Sequence, residues 1–123
     1  MTEERVFTAE DADRELDELR ARLPRLRDAR RRLIASSERI TSAVQADGGG
    51  VEGSDWFRAQ EELKAELLWL ADRGIVLRDP ETGLVDFPAT IDGRRVFLCW
   101  RLGEDRVAWY HEQQTGFTGR RPL

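Results

Sequence analysis

The chain carries one histidine, His111, and one cysteine, Cys99, and its C-terminal third also holds Asp86, Arg101, Glu104, Glu112, Arg120 and Arg121. A histidine beside a carboxylate can move a proton, and arginines can receive an anion. These types therefore admit acid–base chemistry by His111 with Glu104 or Glu112 on a small anionic substrate. Against that reading, no serine is placed to act as a nucleophile, and a lone cysteine in an apolar run behaves as a small buried hydrophobe. Cys99, His111 and the neighbouring acids lack the short spacings of a metal centre, so neither a metal nor a cofactor is expected. The run Gly116-Phe-Thr-Gly-Arg120 could present amides to an anion, but it lacks the Gly-Lys-Ser/Thr ending of a phosphate loop. Its plainer reading is a tail anchored by Phe117.

Short strands must position these groups. From Ile75 the apolar period is two: 75–77 and 84–87 flank the turn at 79–83, and 95–100 and 107–111 flank the turn at 102–106, with Asp92-Gly93 between the pairs. An antiparallel meander of four strands follows. Alternation puts Trp100 and Trp109, the largest side chains on adjoining strands, on the face away from Cys99, where they should fix the sheet. Asp86, between Val85 and Phe87, is the odd residue in its strand. The rim where Trp100-Arg101 and Tyr110-His111 end is the expected ligand or partner site, with Asp86, Arg101, Glu104, His111, Glu112, Arg120 and Arg121 as its candidates, while Cys99, Trp100, Trp109 and Phe117 are structural.

The first 74 residues read as helices. Thr8 and Asp11 form a helix-start signature that Phe7 can staple onto Ala12. Ala12, Leu16, Leu19, Leu23, Leu26, Leu33, Ile40 and Val44 recur with the seven-residue spacing of a coiled-coil seam, and Pro24 within it predicts a kink near 20–24. A connector over 47–54 holds four glycines. A second helix runs over 55–73 and stops at Gly74, its stripe of Trp56, Leu63, Leu67 and Leu70 broadened by Ala59, Leu68, Trp69 and Ala71. The expected architecture is α+β: a long antiparallel helical hairpin over 1–74, coiled-coil-like, then a small antiparallel sheet with an irregular tail over 75–123, packed as one unit.

The second helix covers only half of the first. Leu16, Leu19, Leu23 and Leu26 are thus expected to meet another subunit in an antiparallel homodimer, the rival being the sheet folding back over them. Charge agrees with that orientation, since residues 1–19 sum to −6 and residues 20–39 to +6. The arginines from Arg20 to Arg39 wrap the helix without forming one stripe, and the chain as a whole carries −4, so nucleic-acid binding is the weaker reading of that block. Apolar residues at 40% and charged residues at 36%, with no run long enough to span a bilayer and no signal-peptide start, point to a cytoplasmic globular protein.

Gly83-Leu-Val-Asp-Phe-Pro-Ala89, Gly93, Val96, Leu98-Cys-Trp-Arg101, Gly103-Glu104, Trp109, His111, Gly116-Phe117, Gly119-Arg120 and Pro122 together resemble the bacterial and archaeal domain-of-unknown-function family 2203 (DUF2203), as does Phe7-Thr-Ala-Glu-Asp-Ala12. The resemblance covers essentially the whole chain and implies one intact domain. It marks Asp86, Cys99, Arg101, Glu104, His111, Gly116, Gly119 and Arg120 as positions to watch, and it implies no activity. The leading expectation is a noncatalytic interaction or scaffold protein that self-associates through its long helix and recognises a protein or a small anionic ligand.

Overall fold

The computed structural model describes residues 5–47 and 54–123, the side chains of 40, 42–47 and 54 excepted. Helices α1 (Ala9–Asp13), α2 (Leu16–Asp47) and α3 (Ser54–Arg73) precede strands β1 (Val76–Asp79), β2 (Leu84–Ile91), β3 (Arg94–Arg101), β4 (Trp109–Glu112) and β5 (Arg121–Pro122). The strands form one antiparallel sheet in sequence order. An α+β architecture is thus observed, with five strands in place of four. The tail expected to be irregular returns through a short 3-10 turn, Phe117–Gly119, to pair as β5. Expectations for the glycine-rich connector and for Ile40 and Val44 fall outside the described residues.

Thr8 caps α1 reciprocally: its Oγ1 accepts from the Asp11 amide and its own amide donates to the Asp11 carboxylate. The helical path breaks between α1 and α2 at Arg14 and Glu15, and α2 runs on through Pro24. Leu23 and Leu26 on either side of the proline are both buried, so packing holds the helical phase where one backbone hydrogen bond is missing.

Leu16, Leu19, Leu23 and Leu26 are at most 3% exposed and share one core with Val85, Phe87, Ala89, Val96, Leu98 and Trp100 of the sheet. The expectation that these leucines form a subunit interface is therefore corrected. The sheet of the same chain covers them, and each gains roughly 1.5 to 3 kcal/mol from that burial. Three polar ties fix the docking: the Phe7 amide donates to the Pro88 carbonyl at 2.7 Å, the Val107 amide to Asp13 Oδ1 at 2.8 Å, and Arg20 to the Asp105 carbonyl at 2.7 Å.

Side chains of α2 and α3 meet at Arg22 and Glu66, at Arg32 and Glu62, and at Ser37 and Trp56, so the two helices run in opposite directions. Five arginines of the block pair within the chain: Arg22 with Glu18 and Glu66, Arg32 with Glu62, Arg39 with Asp55, and Arg30 and Arg31 together with Glu81 in the turn between β1 and β2. That turn closes on Gly83, whose φ of +71° and approach to Leu102 (2.8 Å from an added Cβ) leave no room for a side chain.

Arg31 holds the Glu81 carboxyl below the usual carboxylate range, the Glu81 amide does the same for Asp79, and the Thr8 amide for Asp11. A folded value below the unfolded one gives stability that is complete above the unfolded value and lost as pH falls through the folded one. The melting temperature should therefore decline between about pH 5 and pH 2, with a shallower decline in Glu81→Gln. A melting temperature flat across that window would contradict these assignments.

Candidate functional site

The sheet has two unlike faces. Val85, Phe87, Ala89, Val96, Leu98 and Trp100 face the helices, which leaves Asp86, Phe97, Cys99, Arg101, Trp109 and His111 on the outer face. Asp86 lies opposite Cys99 in the β2/β3 register, and His111 lies opposite Phe97 in the β3/β4 register. Cys99 lies opposite Trp109, so the placing of that tryptophan away from the cysteine is corrected. The β3/β4 register decides the face, and the half-buried Trp109 takes the Arg120 guanidinium over its ring at 4.7 Å.

Asp86 and His111 are 1% and 3% exposed, and their Oδ2 and Nε2 atoms are 2.9 Å apart. Arg78, placed by an irregularity in β1, donates its Nε–H to the same Oδ2 at 2.8 Å and stacks on Phe97. The second carboxylate oxygen, Oδ1, is buried without a hydrogen-bond partner. His111 Nδ1–H donates to the Glu112 carbonyl at 2.7 Å, and a carbonyl can only accept, so this nitrogen carries a hydrogen. A proton then also lies between Nε2 and Oδ2, since both would otherwise be acceptors. Cys99 Sγ joins the cluster: one ligand-type atom each of Asp86, Cys99 and His111 lies within 4.8 Å of the others. Burial first, and the Asp86 charge second, push the Cys99 thiol up to about 12. A cleft of about 320 Å³ opens over Arg78, Asp86 and His111, walled by 113–117.

This geometry corrects the acid–base reading. Glu104 does not reach His111: its carboxylate accepts from Arg120 at 2.9 and 3.1 Å and from the Arg101 amide at 2.7 Å. The Glu112 side chain pairs with Arg94 and offers His111 only its carbonyl. Both imidazole nitrogens are engaged, so neither is free to take a proton from a substrate. Burial, by raising the Cys99 thiol, disfavours the thiolate that a nucleophile needs.

The expected rim thus splits in two. Asp86 and His111 form the buried pair, while Arg101, Glu104 and Arg120 form a second cluster with Phe117, over whose ring both guanidinium groups lie. Arg121 lies in β5, exposed, opposite Tyr110. The anion cradle at 116–120 is also corrected, because the amides of Gly119 and Arg120 close the 3-10 turn on Gly116 and Phe117. Sequence reasoning missed Arg78, since a bulged position carries no alternation signal, and it missed the three-strand meeting of Asp86, Cys99 and His111. Its expectation of no metal-ligand set rested on chain spacing, which a sheet does not respect.

A second surface stands on α3. Ala59 and Leu70 are buried, whereas Leu67, expected on the stripe against α2, is 42% exposed, Leu68 52% and Phe57 65%. Gln60, Leu63, Lys64, Leu67, Leu68 and Ala71 line a shallow groove of about 430 Å³ there.

A family model described as an uncharacterized conserved protein, DUF2203, matches residues 5–123. Neither a curated protein nor a solved structure matches the chain. No helix among the described residues is long and apolar enough to cross a membrane.

Proposed function

The chain belongs to the DUF2203 family, and from that premise we propose that it is a noncatalytic cytoplasmic interaction protein that self-associates through the exposed face of α3. The observation that carries this reading is the exposure of Leu67 and Leu68 beside a shallow apolar groove, with Phe57 about three turns away on the same helix, three large side chains left in water on a helix whose opposite face is packed. Leu16, Leu19, Leu23 and Leu26 have no further surface to offer, which moves the proposed association from that stripe to α3.

This α3 face is complementary to itself. Two antiparallel copies of α3 related by a two-fold axis between Glu62 and Leu63 bring Phe57 of each against Leu68 of the other, and Lys64 against Glu61. An isologous contact of this kind closes at the dimer. Ion pairs at its edge set register and orientation more than affinity. Glu104 and the Glu112 carboxylate, both paired with arginines away from the His111 ring, support the noncatalytic half of the reading, and the arginine pairs of α2 weigh against nucleic acid.

Leu67→Glu with Leu68→Glu should convert the dimer to a monomer by light scattering while leaving the melting temperature of the dilute protein nearly unchanged, because both side chains are exposed within one chain. A dimer that survives both substitutions would place the contact elsewhere. Unfolding of the double variant would show that the two leucines serve the core.

A further inference from the structure

The Asp86, Cys99 and His111 cluster is unusual in what it leaves unsatisfied. Asp86 is 1% exposed, yet its Oδ1 meets no nitrogen or oxygen donor, and only the weak donor of the Cys99 thiol stands beside that carboxylate, although Oδ2 has two partners. An orphaned carboxylate oxygen in the interior costs free energy unless something positive meets it. Arg78, the guanidinium that contacts Asp86, is already on Oδ2. His111 commits its Nδ1–H to a backbone carbonyl, the arrangement that fixes a metal-ligating imidazole with Nε2 as the coordinating nitrogen. Arg78 on Oδ2 likewise orients the carboxylate while leaving Oδ1 available.

We propose that Asp86 Oδ1, Cys99 Sγ and His111 Nε2 bind one divalent transition-metal ion of the zinc class. The inference is independent of the α3 contact, which shares no residue with it. One thiolate, one imidazole and one carboxylate form a mixed, borderline-soft set that suits Zn²⁺ or Co²⁺, whereas Ca²⁺ and Mg²⁺ require oxygen ligands. One ligand-type atom from each of the three side chains already lies within 4.8 Å of the other two. Tetrahedral zinc with bonds of about 2.0 to 2.3 Å holds its ligand atoms roughly 3.3 to 3.8 Å apart. Side-chain shifts of about an ångström therefore suffice. On binding, the ion displaces two protons to water, one from the thiol and one from the Nε2–Oδ2 contact. Three protein ligands leave a fourth position for water, and the cleft over Asp86 and His111 gives it access.

The test uses the full chain, stripped with a chelator, dialysed, and titrated with Zn²⁺ in competition with a chromophoric chelator and separately with Co²⁺. The expected result is one equivalent bound, a thiolate-to-cobalt charge-transfer band in the near ultraviolet, and a raised melting temperature with zinc. Cys99→Ser should abolish the band and weaken zinc binding by at least about tenfold, the loss that follows removal of even an outer partner of a ligand. If the serine variant fails to fold, Cys99→Ala, which places no polar group in the interior, provides the same comparison. Wild-type protein that takes up no zinc, or a cobalt spectrum without the thiolate band, would overturn the site and leave a hydrogen-bonded structural cluster.

Discussion

Replacing Trp100 with alanine should cost about 3 to 5 kcal/mol, a large part of the stability of a domain this size. The ring is 0% exposed at the centre of the inner sheet face, against the leucines of α2. Its Nε1–H donates to the Glu104 carbonyl at 3.1 Å, which ties the β3–β4 loop to the core, and the Arg20 guanidinium lies 5.9 Å above it. The substitution therefore removes packing, a hydrogen bond and a docking point of helix on sheet together. Urea denaturation followed by far-ultraviolet circular dichroism would measure the loss. Trp109→Ala should cost distinctly less, because that ring is half-buried on the outer face. Equal losses would mean that the outer face is as closely packed as the inner one.

His111→Ala should destabilise by a comparable amount, about 3 to 5 kcal/mol, the range seen when one partner of a buried ionic pair is removed. The sequence places His111 at a strand end, where an exposed side chain would make the change nearly harmless. The structure buries it at 3% exposure, and its removal strips Asp86 of one of two partners while Oδ1 is already unpaired. Arg120→Ala should cost less, since Glu104 keeps the Arg101 amide as a donor. Chemical denaturation of the two variants side by side decides the ranking. A His111→Ala protein as stable as the parent would show that the pair contributes nothing to the fold.

How much of this is readable from the residues depends on how far each interaction reaches along the chain. The Thr8 and Asp11 cap and the Gly74 helix stop are local, and both are found where the residues place them. The opposition of Asp86 and Cys99 is also legible in principle. Asp92 and Gly93 both have positive φ, the two-residue turn that sets Ile91 against Arg94, and counting back from it reaches that pair. The β3/β4 register is not legible in this way. Its loop is long and irregular, so neither the face of Trp109 nor the approach of His111 to Asp86 follows from alternation. The seven-residue spacing identifies the buried stripe from Ala12 to Leu26 and leaves its cover open. The cover lies some 60 to 80 residues away, in strands whose inner faces are as apolar as any partner helix. With that stripe taken by the sheet, the proposed association rests on the exposed face of α3.

Sedimentation equilibrium of the unmodified chain across the micromolar range tests that conclusion most directly. The account predicts a mass that rises with concentration from 14.2 kDa toward twice that value and stops there, as a closed two-fold contact through Phe57, Leu67 and Leu68 requires. A mass of 14.2 kDa at every concentration, or one that climbs past the dimer without limit, would contradict it.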